Sequence, residues 1–249
     1  AWTYGVDYSD RVALEAATGV PQNRANFGTA ARISIRVPSV DAEIEDMIDA
    51  GIHVVIAAGN NYNKIDLASG ADYANEVVFS TAVSYHQGSS PYSLNAFMVA
   101  SIDSSVSGSN QDKPSIFSSR GPGCNIWAPG SNIMSACSTP YNSSKFAPIT
   151  YFDDDTFYQM SISGTSMVAP QVAGIACLHL QVFPDLTPSG LQDRILADSK
   201  GVVNSTGSDV DYGEVNDSIM GQANKILYSK YNSANPWSLS GPFNISIGS

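Results

Sequence analysis

Residues 39–60 read SVDAEIEDMIDAGIHVVIAAGN. In the first half Val40, Ile44, Met47 and Ile48 recur at helical spacing, giving one apolar face on an otherwise charged segment. Ser39 is placed to cap this helix, Asp41 and Glu43 suit the positive end of its dipole, and Gly51 ends it. The second half, IHVVIAA, is a near-continuous β-branched run of the kind found in parallel sheets covered on both faces. Helix followed by buried strand is the second half of a β-α-β unit. The expected class is therefore α/β, a mostly parallel sheet with helices on both faces.

Working outward, VVFSTAV at 77–83 and FMVASI at 97–102 read as further short strands. IFSSRGPGCNIWAPGSNIMSA at 116–136 alternates short apolar pieces with Gly-Pro turns, which predicts short strands joined by tight turns. Residues 138–158, with aspartates at 153–155, read as a solvated loop, and a bare acidic triplet does not make a calcium site. No metal and no cofactor are expected. From Met167 to Phe183 the chain is apolar almost all round, as in a helix inside a large domain, and Pro170 is placed in its first turn. A second helix follows at about 187–197, with Thr187 as cap and Pro188 in first position. Beyond residue 200 the pattern is weak.

The chain has 249 residues, 43% of them hydrophobic, enough for a single domain spanning 1–249. Its formal net charge of -11 would repel a polyanion, which argues against nucleic acid as a partner. No run is apolar enough to cross a membrane, no signal peptide is visible, and the start at Ala1 without methionine reads as a cut. The three cysteines form no CxxC pair. Cys124 could pair with Cys137 in an exported protein, and Cys177, in an apolar segment, is expected to be a buried, inert thiol.

The segment SISGTSMVAP, 161–170, puts Ser166 where a glycine-containing turn enters a buried helix. Free N–H groups and the helix dipole converge there and stabilise negative charge, such as the oxyanion of an attacked carbonyl. Ser166 could be a nucleophile for that reason; equally, Ser166 or Thr165 could simply cap the helix. Asn60 ends the buried strand, and ligands of open α/β sheets sit outside the carboxyl ends of strands. Its amide could donate to an oxyanion, or it could be an ordinary turn residue.

Together these segments resemble a known family. SISGTSMVAPQVAG resembles the nucleophile motif of the subtilisin-like serine proteases, HVVIAAGNN their oxyanion-hole strand, and IFSSRGPGCNIWAPGSNI the segment between them. The resemblance covers roughly 39–60 and 89–200. It implies Ser166 as nucleophile, Asn60 as oxyanion donor, and Ala58, Gly59 and Thr165 as substrate-binding residues of a cleft for a protein or peptide. Gln171 stands where the family has a helix histidine. The opening AWTYG resembles a strand lining the substrate cleft, so residues 6–38 read as an insertion and the N-terminal strands of the fold as missing. The loops YHQGSSP and YNKID are also similar to subtilase-like proteins of marine bacteriophages, which favours an extracellular or virion-associated setting.

A serine needs a base, itself oriented by a carboxylate. The family's His-Gly-Thr-His type motif and its Asp motif are both absent. His179 lies more than three helical turns beyond Ser166, roughly 20 Å away at about 1.5 Å per residue. His53 lies at the far end of the Asn60 strand, roughly 23 Å away at about 3.3 Å per residue. His86, on a loop, is the one histidine that spacing leaves open. Three readings compete: a serine endopeptidase whose Asp and His come from an N-terminal fragment, a catalytically inactive structural or binding protein of the same fold, and an α/β-hydrolase. The last needs G-x-S-x-G, and Val168 occupies its final glycine position.

Overall fold

The computed structural model describes residues 3–7, 30–74, 76–78, 82–84, 86–103, 112–137, 149–151, 154–201 and 219–228. Strand β1 (Thr3–Asp7) runs antiparallel to β2 (Ala30–Ser34), with Thr3 opposite Ser34. Residues 6–38, expected as an insertion, thus supply the partner strand of the opening segment.

Helix α1 (Pro38–Asp49) starts two residues earlier than expected. Val37, not Ser39, is its N-cap, and Pro38 begins it with a preset φ and no N–H to satisfy. Asp41 in the first turn accepts hydrogen bonds from Arg36 Nη1 and from the Tyr92 backbone N–H, both at 2.9 Å, and so ties the helix to a distant loop. Ile48 is buried and Ile44 half-buried as the periodicity requires, while Met47 is exposed. Strand β3 (Val55–Ala57) is shorter than the apolar run. The stretch 77–83 is not one strand. It is divided between β4 (Glu76–Val78) and β5 (Ala82–Ser84), which pair antiparallel, because a reversal lets the two halves satisfy each other's backbone.

The centre of the fold is β6 (Phe97–Asp103). It pairs in parallel with β3, Val55 opposite Phe97, and with β8 (Ile126–Pro129), Val99 opposite Ile126. The short β7 (Lys113–Pro114) joins it antiparallel. Alternate residues of β6 serve two cores, because successive strand side chains point to opposite faces. Phe97 and Val99 pack with Ile126, Ala128 and residues 168–195 of the later helices; Met98 packs with Ile56, Ala58, Ile65, Tyr92 and Ile48 of α1. The α/β sheet covered on both faces is therefore present.

Strand β9 (Ile133–Cys137) belongs to a separate antiparallel sheet with β10 (Ile149–Tyr151) and β11 (Asp154–Ile162), in the order β10-β11-β9. The loop expected over 138–158 is corrected here: Asp154 and Asp155 open a strand that leads directly into the turn before Ser166, and Asp153 lies outside the described residues. Helix α2 (Thr165–Val182) follows and packs on the sheet with α3 (Pro188–Asp198), whose cap is Thr187 Oγ1 accepting from Gly190 N. Two expectations about α2 change. It starts at Thr165, so Pro170 lies beyond the first turn and the Ser166 carbonyl loses the N–H it would otherwise accept. It is also not buried all round, for Ser166, Pro170, Gly174, Cys177 and Gln181 form an exposed stripe. Cys177 is thus exposed rather than buried. Cys124 and Cys137 are both free, not paired, and burial pushes the Cys124 thiol well above its ordinary pKa. None of the described helices is long and apolar enough to cross a membrane.

At Gly130, just after β8, the strand end and the start of α2 lie in close approach. A Cβ there would lie 2.2 Å from Ser101 Oγ, 2.6 Å from Val168 Cγ2 and 2.9 Å from the Gly164 carbonyl oxygen. Gly130→Ala is expected to destabilise the fold by about 1–3 kcal/mol through overpacking, read as a lower urea midpoint at unchanged slope.

Candidate active site

The end of β3 and the start of α2 are joined side chain to backbone. Asn60 Oδ1 accepts from the Thr165 backbone N–H at 2.9 Å and from the Thr165 hydroxyl at 2.9 Å. The Thr165 oxygen in turn accepts from the Gly59 backbone N–H at 3.1 Å. A backbone N–H can only donate, so the Asn60 amide has one orientation: its oxygen faces the helix start and its Nδ2 is left as a donor. Gly59 adopts φ +99°, in the left-handed region that favours glycine, which is why the strand turns there without strain.

Ser166 comes next, in the first turn of α2, and its residue is exposed. It lines a pocket of roughly 300 Å³ with Ile133, Met134, Ser135, Met167, Pro170 and Gln171. The turn before it is held by the Gly164 N–H donating to the Gly130 carbonyl at 2.8 Å and by Asn132 N–H donating to Ser163 Oγ at 2.8 Å. The start of α2 leaves backbone donors without intrahelical acceptors, and Thr165 N–H is consumed by Asn60. Chemically the arrangement offers a hydroxyl on an accessible surface, one residue from the Thr165 that orients the Asn60 amide, at the positive end of a helix.

Not every expected residue has the same standing. Ser166 and Asn60 are brought together through Thr165. Thr165 itself is buried, and its hydroxyl is occupied by Asn60 and Gly59, so it acts as a structural tie and its hydroxyl is not offered to a ligand. Ala58 is buried, with its N–H donating to Val99 O; Gly59 has its N–H on Thr165 and its carbonyl accepting from Ser119 N–H. Sequence reading missed Gln171 as a working residue: its Nε2 donates to Pro129 O at 2.7 Å and Met167 O at 2.8 Å.

Among the described residues, none of the three histidines lines the Ser166 pocket. His86, the one left open, is buried, faces Lys64, Asp66 and Asp72, and has its pKa lowered chiefly by burial. Lys64 is ion-paired there with both aspartates; burial alone would lower its pKa, but the carboxylates hold it above the ordinary value. His179 is buried, with Nε2 3.9 Å from Asp198 Oδ2 of α3. No histidine or carboxylate lines the Ser166 pocket among the described residues.

With this geometry established, sequence comparison gives the class. A model of the Subtilase family (peptidase S8) matches residues 21–216, and the chain belongs to that family. The match takes in residues 21–38, part of the stretch read from sequence as an insertion. The chain is similar to serine protease AprX of Bacillus subtilis, 34% identical over 159 residues covering 61% of this chain and 31% of that protein. It is also similar to the cuticle-degrading serine protease of Arthrobotrys oligospora, 28% identical over 194 residues covering 78% and 35%. A crystal structure of a cold-adapted subtilisin-like serine proteinase aligns with a TM-score of 0.49 at 25% identity, over 79% of this chain and 52% of that one. The chain thus spans about a third of the length of these curated relatives. The phage resemblance of the two loops finds no support among them.

Two measurements follow. Thr165→Val removes the hydroxyl shared by Gly59 and Asn60 and is expected to cost about 1–3 kcal/mol, seen as a shift of the urea midpoint. His86 carries a lowered pKa when folded, so between its ordinary value near 6.5 and that lower value the unfolded chain binds more protons. Stability is therefore lost as pH falls through this window and is fully present above it. His86→Gln should flatten that part of the melting-temperature profile between pH 7.5 and 5.5.

Proposed function

We propose that this chain is the C-terminal portion of a serine endopeptidase that hydrolyses peptide bonds by acyl transfer, with Ser166 as nucleophile and Asn60 as oxyanion donor. The observation that carries the reading is the Asn60 to Thr165 tie, which commits Asn60 Oδ1 inward and leaves Nδ2 as a donor one residue from the exposed Ser166. The substrate is a protein or peptide, as family membership implies. Attack by Ser166 on a carbonyl carbon would place negative charge on the carbonyl oxygen, which Nδ2 stabilises better than it stabilises the neutral ground state.

The base and its orienting carboxylate belong, on this reading, to an N-terminal fragment. The open stripe of α2 supports a seat for it, since a Cβ built on Gly174 meets nothing within 4 Å and the Ser166 pocket continues that side. The chain alone is then a very poor protease. The competing reading, an inactive structural or binding protein, is favoured by one observation: His86 and His179 are buried against carboxylates of their own, and neither lines the pocket of Ser166.

The two separate by labelling with a fluorophosphonate, with the chain expressed together with whatever its gene encodes upstream of Ala1. Rapid labelling, lost in Ser166→Ala, is expected of the protease. Asn60→Leu should slow turnover by about 10²–10³, the magnitude known for a subtilisin oxyanion donor. A folded protein that does not label supports the inactive reading, and equal labelling after Ser166→Ala overturns Ser166 as the nucleophile.

A further inference from the structure

We propose that Gln171 is the positioning residue of the nucleophile, a clamp that holds the first turn of α2 against the end of β8. This rests on the reading of Ser166 as nucleophile, but its geometry is independent of that chemistry.

Pro170 has no N–H, so the carbonyl of Ser166 lacks the helical hydrogen bond that would fix the nucleophile's own peptide. The helix is therefore weakest at the residue that must be placed most accurately. Gln171 is the next residue, and its side-chain nitrogen carries two protons. One goes to the Met167 carbonyl at 2.8 Å, on the helix turn that contains Ser166, and the other to the Pro129 carbonyl at 2.7 Å, at the end of β8. Next to Pro129, Gly130 accepts from the Gly164 N–H at 2.8 Å. Residues 164 and 167 are thus fastened to the same strand end on either side of Ser166, while Thr165 between them is fastened to Asn60.

The clamp needs an amide or another two-proton donor. Glutamate would set a charge against two carbonyls, and methionine, similar in length, would donate nothing. Histidine carries at most one proton on each ring nitrogen, so a single ring nitrogen cannot serve both carbonyls as Nε2 does. Gln171 also lines the pocket beside Ser166, so its loss opens the wall as well as the clamp.

The first test is amide hydrogen exchange on the chain itself, which needs no activity. Gln171→Met should raise exchange at least tenfold at Gly164, Thr165 and Met167, whose N–H groups have named acceptors. Gln171→His should fall between Met and wild type. Ile195→Val, a core change in α3, should lower the melting temperature without singling out those three amides. Unchanged exchange at the three amides, or the same local rise in Ile195→Val, overturns the clamp. The second test is fluorophosphonate kinetics in the upstream-extended protein. Gln171→Met should lower the maximal inactivation rate about 10- to 100-fold with the reagent's binding constant within about threefold, as expected for a misplaced nucleophile. An undiminished maximal rate overturns the inference while leaving Ser166 as nucleophile. Absence of labelling in wild type overturns the nucleophile reading instead, and the exchange result then decides the clamp by itself.

Discussion

The candidate site depends on one carboxamide. Asn60 Oδ1 accepts both the backbone N–H and the hydroxyl of Thr165, and so joins the end of a core strand to the start of helix α2. It satisfies a helix N-terminal donor that would otherwise be buried without a partner, and it fixes which way the amide faces. Gly59, with its left-handed φ, passes the strand out of the sheet so that this contact can form, and the Thr165 hydroxyl returns a bond to Gly59 N–H. The Asn60 amide oxygen, the Thr165 N–H and hydroxyl and the Gly59 N–H close into a small part-buried network, where leaving a member unpaired costs more than it would in open water.

Around that contact the sheet sets the distances. Strand β6 lies between β3 and β8, and the end of β3 carries Asn60 while the end of β8 carries Gly130. Because β6 alternates its side chains between two cores, α1 and the pair α2 and α3 hold it from opposite faces. Neither strand end can move relative to the other without disturbing both cores. The close approach at Gly130 brings the Gly164–Ser166 turn down onto this frame.

Ser166 sits at the edge of that frame, and among the described residues no histidine or carboxylate lines its pocket. It is held by apolar packing, backbone groups and the uncharged side chains of Asn60, Ser163 and Gln171, whereas the titratable clusters among the described residues are directed elsewhere: Lys64, Asp66, Asp72 and His86 in one loop region, His179 and Asp198 between two helices. On the proposed reading, oxyanion stabilisation would draw on preorganised dipoles such as the Asn60 amide, while general-base catalysis would need a side chain brought from a distinct segment.

What the sequence by itself determined was local. The 3.6-residue period of 38–49, the β-branched run before Asn60, the capping Thr187-Pro188 pair and the glycine-serine turn at 164–166 each carry their meaning within a few residues, because dihedral preference and helix-end hydrogen bonding act at that range. The tertiary structure alone decided what depends on residues far apart in the chain. The strand pairing of β10 and β11 was hidden in a polar, aspartate-rich stretch because sheet register is set by the partner strand. The exposure of Cys177 was hidden because an apolar helix does not announce which side its neighbours leave open. The burial of His86 depends on a loop folding over it, and the double hydrogen bond of Gln171 on a strand that lies 42 residues earlier in the chain. Ser166 and Asn60 could be named from sequence; that Thr165 is the link between them required the fold, since a hydroxyl has the same propensities whether it meets water, substrate or an amide brought to it by the packing of a sheet.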